Sequence, residues 1–368
     1  MYKRQINKTE SEEINSSRAI SSVIPVDASS AGSINFEMQY GEYDPFLAAV
    51  AQSAWSVYGT NGVGTTFTAD FTATTITASV APVGANAFTT LSRGQYFQIH
   101  APSTANHLKI FRVHKTTAPT ATVITLDAST PATVAAAVAN NTVRTSRLTH
   151  GSTQQHFSIE RDYTDVTQLF VFRGQTPRML ELSLQSGSKT TGKLDFLGFS
   201  AARGITTFLP ASPTASLGYD IHSGVTGSSC IMTEAGVPLT FVKSINMSYD
   251  NNLREQKALC SLGSVGIGAG TISCKLNTEI YFSDGALFDK FLANTNTELV
   301  FSSVDGTGNG YVFTFPVCNL ADYKVSAGAK DQDLMAQISF TALSDAANSV
   351  PALRKLMFID RVGAAVLP

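Results

Sequence analysis

The chain has 368 residues, of which 43% are hydrophobic and 15% charged, and its formal net charge is −2. That supports folded cores and two or three domains, but the charged share falls well below the roughly 25% of typical soluble domains. A balance this close to neutral excludes the broad basic face that grips phosphates, and so few charges on so long a chain suggest surfaces that meet other protein.

Residues 1–16 read as a polar N-terminal arm of mixed charge, without the apolar stretch of a signal peptide. No run approaches the roughly 18 apolar residues that cross a bilayer. The expectation is a protein with no membrane partner, made and used in the cytoplasm or in a particle assembled there.

Residues 17–40 read as an extended hairpin with a Ser/Ala/Gly-rich turn near 28–33. Ile34, Phe36, Met38 and Tyr40 alternate with Asn35, Glu37 and Gln39, the pattern of a strand with one buried and one polar face. Asp44-Pro45 then predicts a helix start, because aspartate caps free amides and proline suits the first turn. Phe46, Leu47, Val50 and Ala51 form the apolar stripe of that short helix.

Residues 59–150 differ in composition. They are rich in Thr, Ala and Val, with strand-like runs at 64–71, 73–79, 94–100, 107–114 and 121–127. This block has no counterpart later in the chain, so it reads as an inserted small β-domain that faces outward. Strands resume at 157–161 and 169–172. A hairpin follows over 179–185 and 191–199, turning through Ser186-Gly187-Ser188. Its polar positions are Glu181, Ser183 and Gln185 on one strand and Lys193 and Asp195 on the other.

A Pro/Ser/Gly-rich connector over 202–237 leads to a second alternating strand from Val242, with Asn246, Ser248 and Asp250 as polar positions. The glycine-rich stretch 263–270 reads as a hairpin loop. Another strand carries Cys274, Leu276, Thr278 and Ile280 opposite Lys275, Asn277 and Glu279. Asp284 takes a capping position, and Leu287, Phe288 and Phe291 form a helical stripe. This order repeats the earlier one: Asp44 and Asp284, and Leu47 and Leu287, are each 240 positions apart.

The fold class expected is therefore mainly β, with two tandem β-sandwich repeats, each flanked by a short helix, plus the insert. The first repeat comprises 17–58 and 151–237 with its connector, and the second comprises 238–346. The apolar tail 347–368 is expected to dock on a neighbour or on its own domain.

Catalytic and metal motifs are missing from the sequence. The glycines of GSVGIGAG follow the wrong spacing for a dinucleotide cradle, and no Lys-Ser/Thr follows them as a P-loop requires. His100, His107 and His114 are spaced by seven, which in strands alternates the faces and argues against a shared metal. Cys230, Cys260, Cys274 and Cys318 lack the close pairing of zinc sites. No enzyme activity, cofactor or metal is expected. The polar strand faces read either as ordinary solvated sheet or as the wall of a water-filled channel.

The runs INFEMQYGEYDPFLAAVAQSAW and FSIERDYTDVTQLFVFRGQTPRMLELSLQSGSKTTGKLDFLGFSA resemble tail tube proteins of long-tailed, non-contractile (siphovirus-type) bacteriophages. SINMSYDNNLREQKALCSLGSVGIGAGTISCKLNTEIYFSDGALFDKFL is similar to the later part of that family, and GQYFQIHAP with HLKIFRVHK resembles a small β-module that some members insert. The resemblance covers about residues 17–346. It implies a major tail tube subunit of the virion, which stacks as rings and conducts phage DNA from capsid to host without specific binding. It also implies other tail proteins, such as the tape measure and terminator, as partners. Members of single-repeat length form hexameric rings, so a two-repeat chain would form a trimer with pseudo-sixfold symmetry, with a hexamer as the alternative. The lumen would then be lined by Asn35, Glu37, Gln39, Glu181, Ser183, Gln185, Lys193, Asp195, Asn246, Ser248, Asp250, Asn277 and Glu279. A rival reading is a carbohydrate- or receptor-binding β-protein of a phage tail, using the 59–150 insert.

Overall fold

A computed structural model describes residues 3–13, 19–204, 206, 207, 209, 216–223, 230–282, 285–326, 330 and 332–364. Strands dominate, all paired antiparallel, with two short α-helices among the described residues. The first set of elements is β1 (Lys3–Glu10), β2 (Val23–Glu37), α1 (Asp44–Val50), β3 (Phe157–Tyr163), β4 (Gln168–Gln185), β5 (Thr191–Gly198) and β6 (Ser200–Gly204). The second is β7 (Val242–Asp250), β8 (Ser273–Tyr281), α2 (Ala286–Leu292), β9 (Thr297–Val304), β10 (Gly310–Ser326), β11 (Met335–Leu343) and β12 (Phe358–Val362).

The two sets pair alike. Strand order across the main sheet is β1-β2-β5-β4 and then β7-β8-β11-β10, so one four-strand order occurs twice and the copies join where β4 pairs β7. β4 and β10 are long and serve two layers. The C-terminal half of β4 pairs β5, and its N-terminal half pairs β3 and β6. β10 does the same with β11 on one half and with β9 and β12 on the other. Register shifts at Pro177/Met179 and Leu320/Asp322 fall where β4 and β10 are paired to β5 and β11, and such bulges bend a strand.

Between the layers lies one core spanning both copies. Phe36, Leu182, Leu194, Met247, Leu276 and Phe340 come from the main-sheet strands, and Leu47, Leu148, Leu299, Phe313 and Ile359 come from α1 and the opposing layer. At Gly192 the packing leaves no room for a side chain, because a Cβ there would stand 2.2 Å from the Phe36 ring.

The insert is a six-stranded sheet in the order Lys109–Arg112, Tyr96–His100, Ala135–Arg144, Phe67–Phe71, Thr75–Ala78, Val123–Thr125. A bridge between Val113 and Leu126 joins its two edges into a small barrel, which removes its free edges. Its core holds Phe71, Phe88, Phe97, Phe111 and Ile124. Although it follows α1 of the first copy, it docks on the second. Tyr96 and Ile110 pack with Val300, Val312 and Val362. Arg112 donates to both Glu298 carboxylate oxygens at 3.0 and 2.5 Å, and Gln98 Nε2 donates to Gly308 O at 2.8 Å. Asp360 takes two hydrogen bonds of 2.7 Å from Arg147 and one of 2.9 Å from the Tyr96 amide.

Several expectations are corrected. The arm expected over residues 1–16 is in part the strand β1, whose Lys3–Glu10 pair with Val23–Ala31. The hairpin turn expected near 28–33 does not exist. β2 runs straight through it, because β1 holds one edge and β5 the other, and Ser30 is buried against Gln175 at 3.0 Å. Of the two places expected for the tail, a neighbour or its own domain, the structure has the second: it supplies β12, fully buried between β10 and the strand Ser146–Thr149 of the same chain. Asp44 does not cap α1. Tyr43 holds that position, and the Asp44 carboxylate is buried against Arg361 and the Tyr311 hydroxyl, the latter at 2.6 Å. Of the second helical stripe only Leu287 is buried, while Phe288 and Phe291 pack on Tyr323. Asp284 and part of the connector lie outside the described residues.

Candidate functional site

The alternation in β2, β5, β4, β7, β8 and β11 puts every second side chain into the core, so the polar ones share the opposite face. Pairing brings them into rows. Asn35 stands opposite Lys193, Lys193 opposite Glu181, Glu181 opposite Ser248, Ser248 opposite Lys275, and Lys275 opposite Thr341. The next row runs Glu37, Thr191, Ser183, Asn246, Asn277, Ser339. Within that row the Ser339 hydroxyl donates to Asn277 Oδ1 at 2.8 Å. The face is concave, with a cavity of about 660 Å³ over the junction of the two copies.

Most charges on this face are matched. Lys193 lies 3.0 Å from Asp195 and 3.4 Å from Glu181, Lys243 lies 3.3 Å from Glu279, and Lys189 pairs with Glu37. Arg178 lies 3.6 Å from Asp250 at the rim. The hydrogen bond that Lys193 donates to Asp195 raises the Lys193 pKa above the ordinary lysine value, so this cation stays charged and already partnered. Lys275 has no acidic partner among the described residues. The result is a polar, nearly neutral wall with little to hold a phosphate.

Eight of the expected residues border the cavity itself: Asn35, Glu37, Glu181, Ser183, Lys193, Asn246, Ser248 and Asn277. Gln185, Asp195, Asp250 and Glu279 lie on the same face, further along the same strands. Gln39 does not join them. Past the end of β2 it bridges to Ile221 and donates to Tyr219 O at 3.3 Å. Sequence reasoning missed Thr191, Gln337, Ser339 and Thr341, although the alternation of Ala336, Ile338 and Phe340 marks the polar side of β11.

His100 and His107 meet edge to face with ring centroids 4.7 Å apart, because 101–108 is a turn and the strand rule does not apply across it. Among the described residues no three His, Cys, Asp or Glu side chains are grouped to hold a metal. No described helix is long and apolar enough to cross a membrane.

A family model described as phage tail tube protein matches residues 3–342. The chain belongs to the phage tail tube protein family. No curated protein matches it. A tail tube protein is a structural component of the virion tail that assembles, with other tail proteins, into a tube. The mainly β architecture described above is consistent with that family.

Proposed function

We propose that three copies of this tail tube protein close side by side into a ring, as the major tube subunit of a long-tailed, non-contractile phage. The concave polar face lines the bore, and DNA passes along it from capsid to host. The observation that carries this reading is the continuity of that face across both copies, with its rows in register and most of its cations already paired. A sliding polyanion needs hydration without fixed positive charge.

The sheet edges support ring closure. Inside the chain the C-terminal half of β4 pairs β5 on one side and β7 on the other. The matching half of β10 pairs β11 alone, and β2 beyond Ala31 pairs β5 alone among the described residues. Two unmet edges at opposite ends of one curved sheet are met when copies join around a closed ring. Since each chain already brings two copies of the four-strand order, three chains supply what six single-repeat chains would. Native mass spectrometry of assembled rings tests this: three chains of 39.1 kDa per ring are expected, and six chains, or monomers under all assembly conditions, would contradict it.

A further inference from the structure

Where the insert meets the second copy, a cavity of about 210 Å³ is walled by Arg93, Arg112 and Lys115 of the insert and by Glu298 and Thr314 of β9 and β10. Arg147 reaches it as well, and so does Asp345 from the loop before β12. Its charges are unequally matched. Arg147 is held by Asp360 through two hydrogen bonds of 2.7 Å. Glu298 serves two cations at once, Arg112 and Lys115, each at 2.5 Å. Arg93 has no acidic partner among the described residues. Asp345 has no cation of its own there, and its Oδ2 accepts from Asn348 Nδ2 at 3.0 Å. Counting Asp360, four cations stand against three carboxylates, so positive charge is in excess.

Thr314 adds an independent observation. Phe313 and Phe315 on either side of it point into the core between the layers, so its side chain points the other way, toward the insert, as that of Val312 does. It is 2% exposed, and its Oγ1 has no hydrogen-bond partner among the described residues. Folded chains rarely bury a hydroxyl that nothing else satisfies. The cavity matches a small tetrahedral ion with a few waters, each water taking about 30 Å³.

We propose that this cavity binds a free phosphate ion. Arg93 supplies the unmatched charge, with a planar fork that suits two phosphate oxygens, and Thr314 supplies a hydroxyl donor. Asp345 selects the ion. Phosphate at neutral pH keeps at least one P–OH, which donates to the Asp345 carboxylate. Sulfate has no proton to give and meets that carboxylate as a like charge. The bound ion joins the insert, the opposing layer and the loop before β12, and so holds the insert on the second copy.

Isothermal titration calorimetry of the full chain with sodium phosphate and with sodium sulfate, at matched ionic strength, tests the assignment. One saturable phosphate site per chain is expected, with sulfate bound at least about tenfold more weakly. No saturable phosphate binding, or equal binding of the two ions, would overturn the proposal. Arg93 has no acidic partner to lose, so Arg93→Gln keeps the fold and should weaken phosphate binding at least about tenfold. Unchanged affinity in that variant would place the ion elsewhere. Asp345→Asn should bring the affinity for sulfate toward that for phosphate, and a variant that still rejects sulfate would overturn the selection by Asp345. Adenosine monophosphate serves as a third probe: binding as tight as that of phosphate would assign the site to the end of a larger ligand and overturn the free ion.

Discussion

At Asp44 the chain places a carboxylate where the sequence suggests a helix cap, and the fold gives it a different task. Asp44 and Arg361 are both nearly excluded from solvent, with Tyr311 and Ser146 completing their hydrogen bonds and Trp55 stacked over the guanidinium. The pair ties α1 of the first copy to β12 of the second. Removing one partner leaves a buried charge unmatched, so Asp44→Ala should cost about 3–5 kcal/mol in denaturant unfolding. Arg361→Met added to that variant should recover part of the loss. His222 gives a pH prediction. Its ring is buried, with Nδ1 3.0 Å from Ser303 Oγ, and burial lowers its pKa from 6.5 to about 4. Between those values the unfolded chain binds a proton that the folded chain refuses, so stability rises with pH across that window. The loss on going from neutral pH to pH 4 should be on the order of 3 kcal/mol, and His222→Gln should flatten the unfolding profile over the same range.

At the scale of elements, the insert is a brace as well as an appendage. Arg112 and Gln98 reach from it to Glu298 and Gly308, and Tyr96 shares Asp360 with Arg147. Arg112→Ala should leave Glu298 with Lys115 as its remaining cation, destabilising the chain by about 1–3 kcal/mol through the lost buried hydrogen bonds and exposing the insert to limited proteolysis. The polar face should be untouched by this change. Alternation made much of the main sheet legible: the apolar positions of β2, β4, β5, β7 and β8 are the ones that enter the core. It failed where pairing, rather than composition, makes the strand. Ala135–Arg144 (AAAVANNTVR) has little intrinsic strand preference but lies between two barrel strands. Lys3–Glu10 is polar apart from Ile6 and is a strand because the N-terminal half of β2 offers it an edge. The polar face was legible for the same reason as the core, and Gln39 continues the alternation of β2 past the last residue paired to β5.

At the scale of the molecule, a duplicated strand order carries a polar wall most of whose cations are paired. Glu181→Lys with Asp195→Lys should leave assembly intact while converting the wall to a basic one. Tubes of that variant should retain duplex DNA at low salt and release it steeply as salt rises, while wild-type tubes retain little. A filter-binding titration reads this directly. The most direct test of the central claim is a cross-section of the assembled tube by electron cryomicroscopy at side-chain resolution. The account predicts three chains per ring, with the row Asn35, Lys193, Glu181, Ser248 and Lys275 facing the bore. A ring in which that row faces outward, or is buried between chains, would contradict it.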